Sequence, residues 1–276
     1  MTAAVTADAP GLDAGGRRHR PPPAWALGLT GLATLVAALE LAPRTGLVDE
    51  RYLPPFSAMV TALADQAATE QFWRSLAETL RGWAIGLTAA MAAGVLLGIL
   101  IGGIPLLREA TASTIEFLRP IPSVALIPLA VLLFGTGMRS TLVLVVYASF
   151  WQVLVQVLYG VRDVDPVARE TARSYRFRPL TRVRTVIWPT ALPYVMTGFR
   201  LGAAVALILE VTGELVIGSP GLGREIAVAQ TSGAVASMYA LVIVVGLIGV
   251  AVNTVARATE RRALRWHPSV RSDAVA

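Results

Sequence analysis

The sequence predicts an all-α membrane protein with about six transmembrane helices, and three observations carry that expectation. The composition is too apolar for an ordinary soluble domain of 276 residues, with 55% hydrophobic residues, 15% charged residues and a mean hydropathy of +0.62. Six apolar runs approach the length of about 20 residues that a helix needs to cross a bilayer. The formal net charge of +6 is gathered as arginine between those runs and at both ends, the arrangement that holds basic loops on the cytoplasmic side of a membrane. In a soluble chain the same charge would suggest nucleic acid. Distributed this way it is a topology signal, and no nucleic-acid partner is expected.

Residues 1–23, rich in Ala, Gly, Pro and Arg without apolar period, predict a disordered cytoplasmic tail. The first apolar run, Ala24 to Ala42, covers about 28 Å as a helix and has only Glu40 charged. A basic stretch before an apolar one also fits a cleaved signal peptide, but small residues are not clearly placed for cleavage before Pro43, so a retained span is expected. After Leu53-Pro54-Pro55, an amphipathic helix is predicted from Ser57 to Arg81, along the outer interface or against the bundle.

The second span, Gly82 to Ile104, is uncharged and pairs Gly82 with Gly86 and Gly94 with Gly98, a spacing that lets helix backbones approach closely in lipid. The third, Pro120 to Met138, contains Pro120, Pro122 and Pro128. Proline frees backbone carbonyls, so this span should be kinked and buried in protein or facing a cavity. The fourth, Ser140 to Val161, places Gln152 and Gln156 on one face, where they either line a pathway or hydrogen-bond between packed spans.

The fifth span, Pro193 to about Ile217, has Arg200 within reach of the interface. Glu210 and Glu214 fall one turn apart in its second half. Carboxylates inside a membrane are costly enough to be functional candidates, unless the span ends earlier and leaves both in an outer loop. After the turn-rich Gly218 to Glu225 comes the sixth span, Val235 to Ala256, and then a basic tail over 257–276. Six spans place both termini and the segment 162–192 on the cytoplasmic side together.

The chain has no cysteine, and all 24 of its basic Lys/Arg residues are arginine. Disulfides, thiolate metal sites and cysteine nucleophiles are thereby excluded, as are a P-loop and Schiff-base chemistry, which need lysine. The two histidines, His19 and His267, lie outside the apolar runs. No catalytic residue, metal site or bound cofactor is expected, and the chain is not expected to be an enzyme.

Within 162–192, Asp165-Pro166 is a helix start, with a capping carboxylate and proline at the first helical position. Val167, Thr171 and Tyr175 then recur on one face. A second short helix is predicted from Pro179 or Leu180 to Trp188. The resulting knob either docks a partner or anchors at lipid headgroups.

Glu170-Thr171-Ala172, Arg176 and Val186-Ile187-Trp188-Pro189 stand in the spacing of the EAA loop of ABC importer permease subunits, which this loop resembles. The resemblance runs from about Trp73 to Pro268. Phe117 to Leu129, Phe134-Gly-Thr-Gly137, Gly213-Glu214, Pro220-Gly-Leu-Gly223 and Arg265-Trp266 are similar to the branch handling nitrate, sulfonates, taurine, bicarbonate and pyrimidines. It implies a type I importer-like permease fold in a bacterial plasma membrane and a homodimer of permease copies. It also implies two copies of an ATP-binding cassette subunit, which holds ATP and Mg, and an extracytoplasmic solute-binding protein.

Coupling to the ATPase would fall on Val167, Glu170, Thr171, Ala172, Tyr175, Arg176 and Pro189, and the translocation pathway on Gln152, Gln156, Glu210 and Glu214. Arg176 stands where the pattern has glycine. Because glycine there permits a tight turn, arginine is expected to shift the turn toward Arg178-Pro179 or to weaken docking. The other reading of the residues is an autonomous proton-coupled carrier using Glu210 and Glu214.

Overall fold

A computed structural model describes residues 24–266, and the expected tail over 1–23 and the residues from 267 onward lie outside the described part. All regular structure among the described residues is helical. Among the described residues, five helices are long and apolar enough to cross a membrane, and the bent pair makes a sixth if it is counted as one span.

Helix α1 (Ala24–Arg44) is the first span. It is exposed along its apolar length and meets the rest of the chain at its end, where the Glu40 carboxylate accepts from the Ser57 backbone N–H (2.9 Å) and hydroxyl (3.0 Å). The helix predicted over Ser57–Arg81 is two pieces. Helix α2 (Phe56–Ala67) stops, and α3 (Glu70–Gly103) restarts after Thr69, whose side chain caps Phe72 N–H with Glu70 in the first turn. This is a helix-start signal inside a continuous apolar period. The second half of the expected surface helix is therefore the beginning of the second span.

The expected third span over Pro120–Met138 is corrected more substantially. Helix α4 (Pro105–Leu118) precedes it, and after an 84° bend come a 3₁₀ turn (Ser123–Leu126) and the short helix α5 (Ile127–Phe134). Pro120 and Pro122 supply no N–H to continue the helical hydrogen-bond ladder, so α4 ends at Leu118 and the chain breaks there. Pro128 sits in the first turn of α5, where proline is tolerated.

The centre of the molecule is α3 packed on α6 (Met138–Arg162) and α6 on α9 (Trp188–Ile217). Side chains built at Gly86, Gly94, Gly98 and Gly102 would run into Val145, Val153, Val157 and Val161. The offset stays at 59 residues from 86/145 to 102/161, which makes α3 and α6 parallel and in register. Gly160 meets Ala191 and Tyr194, Gly202 meets Ser149 and Val153, and Gly213 meets Thr141, so α9 runs antiparallel to α6. The predicted small-residue spacing thus becomes a glycine stripe that holds α3 against α6, with dispersion contacts replacing the hydrophobic drive that lipid cannot provide.

Gly218, in the left-handed region at φ 81°, ends α9, and the short helix α10 (Leu222–Thr231) follows. Leu222 and Ile226 bury against Phe72, Leu241 and Val244, the last two from α11 (Val235–Ala263). Helix α11 continues past the expected span end, so Arg257, Arg261 and Arg262 are helical. Arg200 of α9 pairs with Glu260 of α11 at 3.3 Å, which gives that interfacial arginine a protein partner.

Candidate functional site

In the arginine-rich loop, helix α7 (Pro166–Ser174) begins where the sequence places it. Asp165 caps it by accepting from the Val167 N–H at 2.8 Å. The helix ends in a Schellman motif. Phe177 N–H reaches the Ala172 carbonyl and Arg176 N–H the Arg173 carbonyl, at 3.0 and 2.9 Å. The residue between these bonds is Arg176 at φ 53°, the one non-glycine residue with positive φ among those described. The turn does not shift to Arg178-Pro179. Arginine takes the glycine conformation at the glycine position.

That conformation costs an L-residue roughly 1–2 kcal/mol, offset in part because glycine loses more chain entropy on folding. Arg176→Gly is therefore expected to stabilise the end of α7 by about 0.5–1 kcal/mol. Hydrogen exchange at the amides of 172–177 should slow about two- to fivefold. Unchanged or faster exchange contradicts the assignment.

Outward from α7 point Val167 (68% exposed) and Tyr175 (75%), with Glu170 and Thr171 also exposed. Ala172 does not join them: at 3% exposure it faces inward, beneath the helix. The rings of Tyr175 and Phe177 lie 6.5 Å apart, and Leu180 is 79% exposed, so the apolar tip of the loop is broader than the residues read from the sequence. Arg169 also turns inward, donating to the Val161 carbonyl at the end of α6 at 2.6 Å. Tyr194 donates to Asp163 at 3.0 Å and braces the loop's root. No sequence signal distinguished Arg169 from the other loop arginines.

The expected second short helix is not separate. Helix α8 (Pro179–Arg182) passes through a π turn (Val183–Ile187) straight into α9, so one helical path runs from Pro179 to Ile217. Pro189, half-buried, lacks the N–H that an α-helix would aim at Thr185, and the wider π turn precedes it. The second half of the loop, from Pro179, is thus helically continuous with the fifth span.

Glu210 and Glu214 both lie within α9 and are 2% and 0% exposed, which excludes the outer-loop placement. The Glu214 carboxylate accepts from the Thr79 hydroxyl (3.0 Å) and the Gly223 N–H (2.8 Å), while Thr79 accepts from the Leu222 N–H (2.9 Å). Glu210 packs where Gly82 leaves room, and Gly221 does the same for Glu214. One oxygen of each carboxylate has no hydrogen-bond partner. The pair is enclosed within the protomer by α3, α9 and α10. Gln152 and Gln156 are half-buried on α6 beside Gly198, and neither side chain hydrogen-bonds to a neighbouring span. Among the described residues no cluster of His, Cys, Asp or Glu could hold a metal.

A bundle of five or six membrane-length helices, with a capped helix projecting from one end and joined by a turn to a path that runs into a span, is the architecture of a membrane permease. The chain belongs to the family of binding-protein-dependent transport system inner membrane components, whose pattern matches residues 66–265. It is 31% identical over 249 residues to the taurine transport system permease protein TauC of Escherichia coli (strain K12), covering 88% of this chain and 90% of that one. It is 27% identical to a putative aliphatic sulfonates transport permease protein of Bacillus subtilis (strain 168), covering 89% of each. Among solved structures, a bacterial ABC transporter involved in alginate import aligns with TM-score 0.60 at 17% identity, over 86% of this chain and 96% of that one. The MetNI methionine ABC transporter in an inward-facing conformation aligns at 0.59 and 17% identity, over 70% and 96%. The fold is the type I ABC importer permease fold.

Proposed function

We propose that this chain forms the translocation pathway of an ATP-driven importer for a small solute of the sulfonate, taurine or nitrate type. It would work with a separate ATPase subunit in two copies, a second permease copy and an extracytoplasmic binding protein. The observation that carries this reading is the exposed Val167, Glu170 and Tyr175 face of α7, which a short turn at Arg176 joins to the helical path running from Pro179 through the π turn into α9. A partner that pulls on this face would act on the fifth span through that turn. The solute class is carried over from the taurine and sulfonate permeases to which the chain is similar.

Arg162 and the α7 arginines share one end of the bundle with Arg257, Arg261 and Arg262 of α11. The positive-inside rule assigns that end to the cytoplasm, where ATP is. The chain has no lysine for a P-loop, so ATP and Mg would be held by the partner. Gln152 and Gln156, half-buried and without protein partners, are suited to face a passage between two copies. The observations do not favour a proton-coupled carrier, because Glu210 and Glu214 are closed off between α3, α9 and α10.

Glu170→Arg tests the proposal, since an exposed residue can be reversed in charge without disturbing the core. Copurification of the ATPase subunit and ATP-dependent uptake in proteoliposomes are each expected to fall at least about tenfold, the equivalent of 1.4 kcal/mol of docking energy, with the variant's melting profile unchanged. Wild-type uptake and copurification would refute the assignment.

A further inference from the structure

Beneath α7 is a cavity of about 380 Å³ that the proposed coupling role does not use. One wall is the end of α3, with Ile99 and Leu100 and then Ile104 just beyond it, and the other is lined by Arg169, Arg173 and Arg182. No Asp or Glu lines it. Arg169 spends one terminal nitrogen on the Val161 carbonyl, but its Nε is buried with no partner, and the Nε of Arg182 is likewise buried and unpaired. Among the described residues Arg173 and Arg182 have no side-chain hydrogen bond or ion pair, so cationic donors line an apolar slot with no acid beside them, an arrangement that an entering acceptor would stabilise. The planar guanidinium fork fits phosphate and carboxylate oxygens best.

The cavity also sits where α3 ends, at Gly103, the level at which a span leaves the bilayer. An acceptor arriving there can bring an alkyl chain along Ile99, Leu100 and Ile104. The volume is in the range of small-molecule sites, roughly 300–1,000 Å³.

We infer that this cavity binds the anionic phosphate headgroup of an amphiphile, with its oxygens on Arg169 and Arg182 and its first methylenes against the end of α3. The phosphate could come from a bilayer lipid or from free phosphate, and the apolar wall favours the lipid. Bound there, it bridges α7 to α3 and restrains the helix that otherwise meets the bundle through Arg169 and Ala172. The inference needs only that the chain lies in a membrane; it stands whether or not an ATPase docks on α7.

The test uses the full-length chain in phosphatidylcholine nanodiscs, with native mass spectrometry for bound molecules and hydrogen exchange at 166–177. The probes are dioctanoyl phosphatidylglycerol, dioctanoyl phosphatidylcholine and inorganic phosphate. Dioctanoyl phosphatidylglycerol is expected to bind and to slow exchange in α7, and the other two to bind at least tenfold more weakly. Arg182→Met should weaken phosphatidylglycerol binding at least tenfold, whereas Arg184→Met, outside the cavity, should not.

Ile104→Glu, at an exposed end of α3 where folding is not at risk, places a carboxylate in the slot and should abolish binding by itself. Equal binding of phosphatidylcholine sinks the inference, as does inorganic phosphate matching the lipid. So does phosphatidylglycerol binding that is indifferent to both Arg182→Met and Ile104→Glu.

Discussion

Gly221→Ala is expected to destabilise the protein by about 3 kcal/mol or more, through two effects that act at the same atom. Gly221 sits at φ 152° and ψ −177°, a region open in practice only to glycine, and forcing another residue there costs roughly 1–3 kcal/mol. A Cβ at this position would also overlap the Glu214 carboxyl group. To make room, Glu214 must leave the Gly223 N–H, a buried donor whose orphaning costs about 1–3 kcal/mol more. Thr79 loses less, because its hydroxyl also reaches the Ser75 carbonyl at 3.1 Å. Unfolding in detergent, followed by tryptophan fluorescence, should show the loss. Gly31→Ala, in α1 with open space around it, should be neutral or slightly stabilising. Equal stability of the two variants would mean that α10 is not held as described.

The parts of this structure that were legible in the sequence are those set by local periodicity. Glycines at 82, 86, 94 and 98 repeat on one helical face, so their role in close packing follows from spacing, and the structure supplies only the partners: Glu210 for the first and α6 valines for the rest. The cap at Asp165 is equally local. Helix α4 gave no such signal, because none of its residues is buried and its boundary is the bend enforced by Pro120 and Pro122.

Arg176 failed as a sequence argument for a different reason. Residue preference opposes a turn there, but two Schellman hydrogen bonds and the Tyr175–Phe177 contact outweigh a strain of about 1–2 kcal/mol. The surroundings of Glu214 were beyond reach altogether. They bring Thr79 of α3 and Gly221 and Gly223 at the start of α10 together with α9, and nothing in the spacing of those residues announces that they meet.

Gly86→Ala sets helix propensity against packing, and packing should win. Alanine is favoured over glycine in a helix interior by about 1 kcal/mol, so at Gly246, exposed on α11 with nothing nearby, the exchange should be neutral or stabilising. At Gly86 the new methyl would collide with Cγ1 of Val145 and come within 3.1 Å of its Cβ. Val145 is fully buried and branched at Cβ, so its side chain has no alternative rotamer to adopt. The helices must then separate, and because α3 and α6 share one register, the separation loosens Gly94–Val153 and Gly98–Val157 as well. Overpacking costs about 1–3 kcal/mol locally, and with those lost contacts the net loss is expected near 2 kcal/mol. The decisive measurement is the cycle with Val145→Ala, which removes Cγ1 and leaves only the 3.1 Å approach. Val145→Ala alone opens a cavity and destabilises, but in the Gly86→Ala background it should restore stability, giving a favourable coupling of at least about 1 kcal/mol. Additive losses would show that α3 and α6 do not meet at this point.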